Sequence, residues 1–258
     1  MATLDQKIAL VTGSTSGIGL GVAEHFASLG ARVVIHGLEA DEARRIAAQL
    51  RSDGRQAIDI ACDLVEVEAC RMLVRRVVEE WGGIDVLVNN AASVARGYLE
   101  DAPVELWDAI MHVNLRAPFL LLQESVRSMK TRGGGSIVNI GSVNAYIGEP
   151  KLGPYSVSKG GLMTLTRNAA ATLNRHHIRV NQINVGWTLT DGERRVKRLE
   201  GHGDEWLADA VATRPFGRLF SPRDVALAAA YFASDDSALV TGTVMDLEQY
   251  PVGAPPNF

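Results

Sequence analysis

The chain has 258 residues, 47% of them hydrophobic and 22% charged, with 26 Lys and Arg against 30 Asp and Glu and a formal charge of -4. That balance offers no net positive field for a nucleic acid partner, and no stretch approaches the roughly 20 apolar residues of a membrane span. At this length one α/β domain with a sizeable core is expected, and a start reading MATLDQKIALV, with neither a basic segment nor a long apolar core, predicts residence in the cytoplasm.

Lys7 to Thr12 is a short apolar run, Gly13 to Gly19 is small and turn-forming, and Leu20 to Leu29 has helical periodicity. Together they predict strand, glycine turn and helix. Gly13, Gly17 and Gly19, with Ser14, Ser16 and Ile18 between them, form a candidate cradle for a diphosphate at the helix N-terminus. Arg32 to His36 is a second strand, and in a doubly wound sheet the turn after it meets the adenosine ribose. Gly37 and Leu38 occupy that turn without a ribose-binding carboxylate, and the glycine loop has no cation for a 2′-phosphate. Glu39 and Asp41 just beyond repel such a phosphate, so NAD is the expected cofactor unless Arg44 or Arg45 folds back.

The pattern then repeats. Glu39 to Leu50 reads as helix, Gln56 to Ala61 as strand, Glu66 to Trp81 as helix and Ile84 to Asn89 as a strongly apolar strand, which argues a parallel sheet. Cys62 and Cys70 lack a metal-ligand cluster and read as lone thiols. Asp63, past the third strand, either accepts from an adenine amino group with Leu64 on the ring, or caps a turn. Asn90, Ala91 and Ala92 follow the fourth strand at the sheet edge where ligands gather, as a loop under a flat cofactor or as a structural turn.

A long helical region is predicted from Pro103 to about Lys130. Asn114 inside its apolar band either holds a water or kinks the helix, and Pro118 four residues later favours a local break. Ser136 to Ile140 is the next strand and delivers Gly141 and Ser142 to the same edge as the glycine loop. Pro154 opens a helix through Leu173. Tyr155 and Lys159, four apart, emerge on one face of it, where the ammonium should favour phenolate and lower the Tyr155 pKa toward the working pH. Ile178 to Ile183 is a strand, followed at the ligand edge by Val185, Gly186, Trp187 and Thr188, of which Thr188 is a donor to the cofactor. Thr190 to Arg214 is polar and too long for a mere connector, which predicts a lid over the site. Its Arg194, Arg195, Lys197 and Arg198 form either a solvated helix face or a reader of an anionic substrate. Pro222 to Ala233 is a helix, Leu239 to Met245 a final strand, and residues 251–258 a tail beyond a catalytic domain of residues 1–250.

The glycine turn TGSTSGIG at Thr12 to Gly19, Asn90-Ala91, Asn114, Ser142 and YSVSK at Tyr155 to Lys159 stand at mutually consistent ends of strands and helices. In this combination, from about Lys7 to Asp246, the chain resembles the short-chain dehydrogenase/reductase family. The resemblance implies a single-domain Rossmann-like doubly wound parallel sheet, flanked by helices, that transfers hydride between an alcohol and NAD. It also implies Tyr155 as acid/base, Ser142 orienting the substrate oxygen, Lys159 on the nicotinamide ribose and lowering the Tyr155 pKa, and Asn114 holding a relay water. Ala92 and Val185 depart from the family's common glycine and proline. A homotetramer is implied as well. The lid and the region from Asp246 favour a sugar or polyol, contacted by Asn144, Lys151, Trp187 and Arg195, while the basic lid keeps an acidic or sulfonated sugar or a 3-hydroxy acid as the alternative. An NADPH-dependent acyl or carbonyl reductase and a noncatalytic cofactor-binding regulator are the more distant readings.

Overall fold

The computed structural model describes residues 3–146, 148–203 and 205–252. Among these, seven strands, β1 (Ile8–Val11), β2 (Arg32–Gly37), β3 (Ala57–Ala61), β4 (Val86–Asn89), β5 (Gly135–Ser142), β6 (Ile178–Val185) and β7 (Val244–Leu247), form one parallel sheet in the order β3-β2-β1-β4-β5-β6-β7. The helices are α1 (Gly17–Ser28), α2 (Ala40–Ser52), α3 (Val67–Trp81), α4 (Val104–Met111), α5 (Ala117–Thr131), α6 (Gly153–Leu173), α7 (Asp191–Leu199), α8 (Trp206–Ala212) and α9 (Pro222–Ala233). The chain is therefore a Rossmann-like doubly wound α/β domain, as its alternating pattern predicts.

Both faces of the sheet are covered, which is why the central strands read as unbroken apolar runs. In β1 successive side chains divide between two cores. Ala9 and Val11 join Phe26 of α1, Ala47 of α2 and Phe232 of α9, whereas Ile8 and Leu10 join Leu73 of α3 and Leu121 and Met129 of α5. Each fully buried large side chain contributes roughly 1.5–3 kcal/mol, so a one-residue slip of β1 would exchange its two cores and forfeit the fit on both sides. The order reverses between β1 and β4, and the crevice at their carboxyl ends receives the loops after β1, β2, β4, β5 and β6.

One expectation, the position of the last strand, needs correction, and two others gain detail. The predicted helix from Pro103 to Lys130 is divided into α4 and α5 by a π-helical turn at His112–Arg116, with Asn114 buried within it. The last strand lies further on than Leu239 to Met245. Leu239 is fully exposed, Gly242 takes φ +76°, and the Asn181 side chain of β6 instead clasps Val240 O and Thr243 N at 2.9 and 3.0 Å. Residues 190–214 are largely helical, as α7 and α8. Trp206 and Ala210 of α8 bury with Leu219 into a small core of their own, packed by Trp187 and Leu189. The predicted tail is described only as far as Val252, and Gly253 to Phe258 lie outside the described residues.

Candidate active site

The sheet edge opens on a cavity of about 1080 Å³ that runs from Leu38 and Asp63 past the glycine loop to Ser142, Tyr155 and Lys159 and on to α7. At the glycine loop Ser16 precedes α1 without making a side-chain capping bond, and no carboxylate stands in the helix's first turn. The first amides of α1 thus remain free donors with the dipole's positive end behind them, which suits a diphosphate. Gly13 holds φ +62°, and a Cβ on Gly19 would lie 2.2 Å from Gly13 O, so the loop folds this tightly only with glycine at both positions. Gly13, Ser16, Gly17 and Ile18 line the cavity. Ser14 and Gly19 do not, correcting their placement as direct contacts: Ser14 Oγ is buried and accepts from His36 N at 2.9 Å.

The other cofactor candidates gather along the same cavity. Gly37, Leu38, Asp63, Leu64, Asn90, Ala91, Ala92, Val185, Gly186 and Thr188 all border the cavity. Several also have structural duties. Asp63 closes a turn by accepting from Val65 N at 2.9 Å. Asn90 Nδ2 donates to Thr12 O and Gly13 O at 2.9 and 3.1 Å, tying the loop after β4 to the glycine loop. Thr188 donates to Gly186 O at 3.1 Å. Arg44 and Arg45 do not fold back; they pair along α2 with Asp41 and Glu42 at 2.8 and 2.7 Å. His36 was given no role by sequence reasoning. Its Nδ1 accepts from Gly13 N at 3.2 Å and its Nε2 lies 3.4 Å from Cys62 Sγ, and burial pushes its pKa down to about 4, so near neutrality it is an uncharged brace under the cradle. Its position as the polar end of an otherwise apolar strand was the available signal.

Beyond the nicotinamide end expected of such a cleft, β5 and α6 bring Ser142, Tyr155 and Lys159 to one wall of the cavity. The Ser142 hydroxyl accepts from Asn144 N at 3.2 Å and lowers the pKa of the Tyr155 phenol. Lys159 is buried, donates to Ile140 O at 2.8 Å and lies 5.6 Å from the Tyr155 ring centroid. The predicted lowering of the Tyr155 pKa by Lys159 is not what this geometry gives. Burial pushes the phenol up, the Ser142 hydrogen bond alone opposes it, and burial brings Lys159 itself down to about 8. Asn114 accepts from Ser93 N at 2.7 Å and donates to Ser93 O at 2.9 Å and Ser158 Oγ at 3.1 Å. It therefore bridges the loop after β4 to α6, behind Tyr155.

At the far end, Asn144, Trp187 and Arg195 line the cavity, but Lys151 does not; its ammonium sits 5.7 Å from the Tyr98 ring instead. Sequence reasoning missed Arg96, Arg214 and Glu248, which border the same space. Nothing local marks them, because three separate loops converge there. Arg96 forms ion pairs with Glu200 and, at 4.0 Å, Glu193, while Lys197 meets Glu200 at 3.1 Å. Trp187 donates to Glu193 Oε1 at 2.9 Å and stacks on Trp206 with ring centroids 5.9 Å apart.

A sheet reversal with an uncapped helix N-terminus facing a diphosphate-sized cradle, and a hydroxyl, phenol and ammonium beyond it, defines a dinucleotide-dependent oxidoreductase. The chain belongs to the short-chain dehydrogenase/reductase family. A family model described as enoyl-(acyl carrier protein) reductase matches residues 13–248. Over 240 residues the chain is 38% identical to dehydrogenase/reductase SDR family member 4 of Sus scrofa, covering 93% of this chain and 85% of that one. Its fold is similar to that of a gluconate 5-dehydrogenase from Burkholderia cenocepacia solved with NADP and tartrate (TM-score 0.88, 31% identity, 96% and 95% of the two chains). It is also similar to a 7α-hydroxysteroid dehydrogenase solved with NADH and 7-oxo glycochenodeoxycholic acid (TM-score 0.90, 30% identity, 98% and 97%). The chain is thus an NAD(P)-dependent oxidoreductase acting on CH–OH groups, and no helix among the described residues is long and apolar enough to cross a membrane.

Proposed function

We propose that this protein is an NAD-dependent dehydrogenase of an anionic hydroxy substrate, such as an acidic sugar or a hydroxy acid, rather than of the neutral sugar or polyol that the sequence favours. The observation that carries this reading is that Arg195 and Arg214, neither paired with a carboxylate among the described residues, face the same cavity as Ser142, Tyr155 and Lys159. Relatives solved with tartrate or with a bile acid derivative support an acidic ligand. NAD is supported by the turn Gly37-Leu38, which has no cation, and by Glu39, which lines the ribose end and repels a 2′-phosphate.

When bound, the nicotinamide cofactor supplies the hydride acceptor or donor. Gly13, Ser16, Gly17 and Ile18 hold its diphosphate against the N-terminus of α1, with Ser14 and Gly19 shaping that loop. Gly37, Leu38, Asp63 and Leu64 take its adenosine end, and Asn90, Ala91, Ala92, Val185, Gly186 and Thr188 flank its nicotinamide half. Tyr155 exchanges a proton with the substrate oxygen at its phenol. Ser142 holds that oxygen, and its hydrogen bond to the phenol keeps the pKa lower than burial alone would set it. Lys159 binds ribose hydroxyls, and Asn114 braces α6 and orders a water for proton exchange. Asn144 and Trp187 border the substrate, and residues 190–214 serve as its lid.

The test is initial-rate measurement with NAD and NADP against neutral sugars, polyols, sugar acids and 3-hydroxy acids. Highest kcat/KM with an acid and NAD is expected; a preference for neutral sugars would return the assignment to a sugar or polyol dehydrogenase, and a strong NADP preference would overturn the cofactor choice. A cytoplasmic homotetramer completes the reading. Free thiols at Cys62 and Cys70 accord with a reducing compartment, and apolar side chains exposed on α4, α5 and α6, among them Val104, Trp107, Phe119 and Val157, accord with subunit contact.

A further inference from the structure

We propose that Arg214 reads the anionic group of the substrate and that Tyr250, beyond β7, is the residue that positions it. This rests on the anionic-substrate reading above. Four cations border the far end of the cavity: Arg96, Arg195, Lys197 and Arg214. Two are spent within the protein, since Glu200 pairs with both Arg96 and Lys197 and Glu193 adds to Arg96. Arg195 is exposed on α7, where holding a substrate would also require ordering a long free side chain.

Arg214 differs from all three. It has no carboxylate at ion-pair distance among the described residues, yet its guanidinium is already fixed. The group lies 5.7 Å from the Trp187 ring centroid and 5.3 Å from that of Tyr250, and its Nε donates to Thr213 Oγ1 at 3.1 Å. Both rings are themselves held, Trp187 by Glu193 and Trp206, and Tyr250 by donation from its hydroxyl to Thr213 O at 2.5 Å. Gln249 strengthens the grip by donating to Arg218 O at 2.6 Å and accepting from Phe216 N at 3.1 Å. Glu248, the carboxylate on this side, accepts from Gln249 N at 2.6 Å and packs against Gly186 rather than pairing with Arg214. Aromatic faces beside a guanidinium leave its in-plane N–H edge available for a planar oxyanion, and most of the ordering cost is met before substrate arrives. The segment after β7 therefore acts as part of the substrate site, through the loop at residues 213–218.

The test compares an aldonic acid with the alditol of the same chain length, a pair differing only in the carboxylate. The measured quantity is the ratio of their kcat/KM values. Arg214→Gln should lower that ratio by about 10- to 100-fold, the range for a lost charge-assisted hydrogen-bonded pair, and Arg214→Lys by less, because it keeps the charge but not the fork. Tyr250→Leu should raise KM for the aldonate with little change in kcat, as expected of a positioning residue. Arg198→Gln, which removes the same charge outside the cavity, should change the ratio by less than about twofold. Tartrate titrated against tryptophan fluorescence gives a readout independent of turnover, and weaker binding is expected in Arg214→Gln. Retained NADH binding and thermal melting establish that each variant is folded. If Arg214→Gln does not fold, Arg214→Lys carries the test, and an unchanged ratio there overturns the inference. A wild-type preference for the alditol sinks the anionic reading itself; a wild-type preference for the aldonate that survives in folded Arg214→Gln sinks only the role of Arg214.

Discussion

At the residue scale, the chemistry depends on how a phenol is tuned. Burial raises the Tyr155 pKa and the Ser142 hydroxyl lowers it, so the two effects oppose one another on one group. Alcohol oxidation requires the phenolate as proton acceptor, and its kcat/KM should rise with pH as Tyr155 deprotonates. Ser142→Ala removes the lowering contribution, so the alkaline limb of the profile should move to higher pH as kcat falls. Tyr155→Phe should remove at least about 1000-fold of turnover while NADH binding, followed by its fluorescence, is retained. A pH limb that stays in place in Ser142→Ala, or turnover undiminished in Tyr155→Phe, would remove these residues from their roles. Ser142, Tyr155 and Lys159 stand together, with the Lys159 ammonium directed to Ile140 O, and the opposing effects on the phenol come from burial and Ser142.

At the element scale, the π-helical turn between α4 and α5 is what brings Asn114 to bear on the loop after β4 and on α6. A regular helix repeats every 3.6 residues, and a wider turn shifts the phase so that one side chain faces differently from its neighbours. Sequence alone marked the spot, through an amide in an apolar band and Pro118 beyond it, but left open whether a water or a kink was the answer. In the structure Asn114 makes three hydrogen bonds to Ser93 and Ser158. Asn114→Ala removes all three bonds, leaves Ser93 N and O without these partners in a part-buried setting, and should destabilise the protein by about 2–3 kcal/mol, seen as a fall of roughly 5–10 °C in Tm. A Tm within a degree of wild type would show that the bridge carries no stability. Helix α9 illustrates the opposite case, an element whose start is legible locally. Ser221 and Asp224 form a capping box with Pro222 between them, and the Arg218 guanidinium beside Asp224 holds that carboxyl well below its usual range.

At the scale of the whole molecule, the sheet's two cores explain why the fold was readable. Strands β1, β2 and β4 are apolar on both faces, the turns from β1 to β3 are short, and parallel order follows from strand and helix alternating. Apolar residues left exposed on α4, α5 and α6 also set an expectation for assembly. Light scattering should report a particle of four chains, and Phe119→Glu, which places a charge on that surface, should shift it toward smaller species. A monomer at micromolar concentration would contradict that assembly.

The sequence by itself determined the parallel sheet, the glycine cradle, and the meeting of Ser142, Tyr155 and Lys159. Those features are set by local pattern: apolar runs, turn-forming glycines, and a four-residue helical interval that places two side chains on one face. Only the tertiary structure decided which polar groups brace and which face the cavity. Ser14 supports the glycine loop from behind, His36 braces it from the cavity wall, Lys151 turns to Tyr98, and Arg96 and Lys197 are neutralised by glutamates on and just after α7. Arg214 becomes available because Trp187 and Tyr250, from loops far apart in the chain, close around it. Such pairings depend on the docking of separate loops, so no local rule of spacing records them.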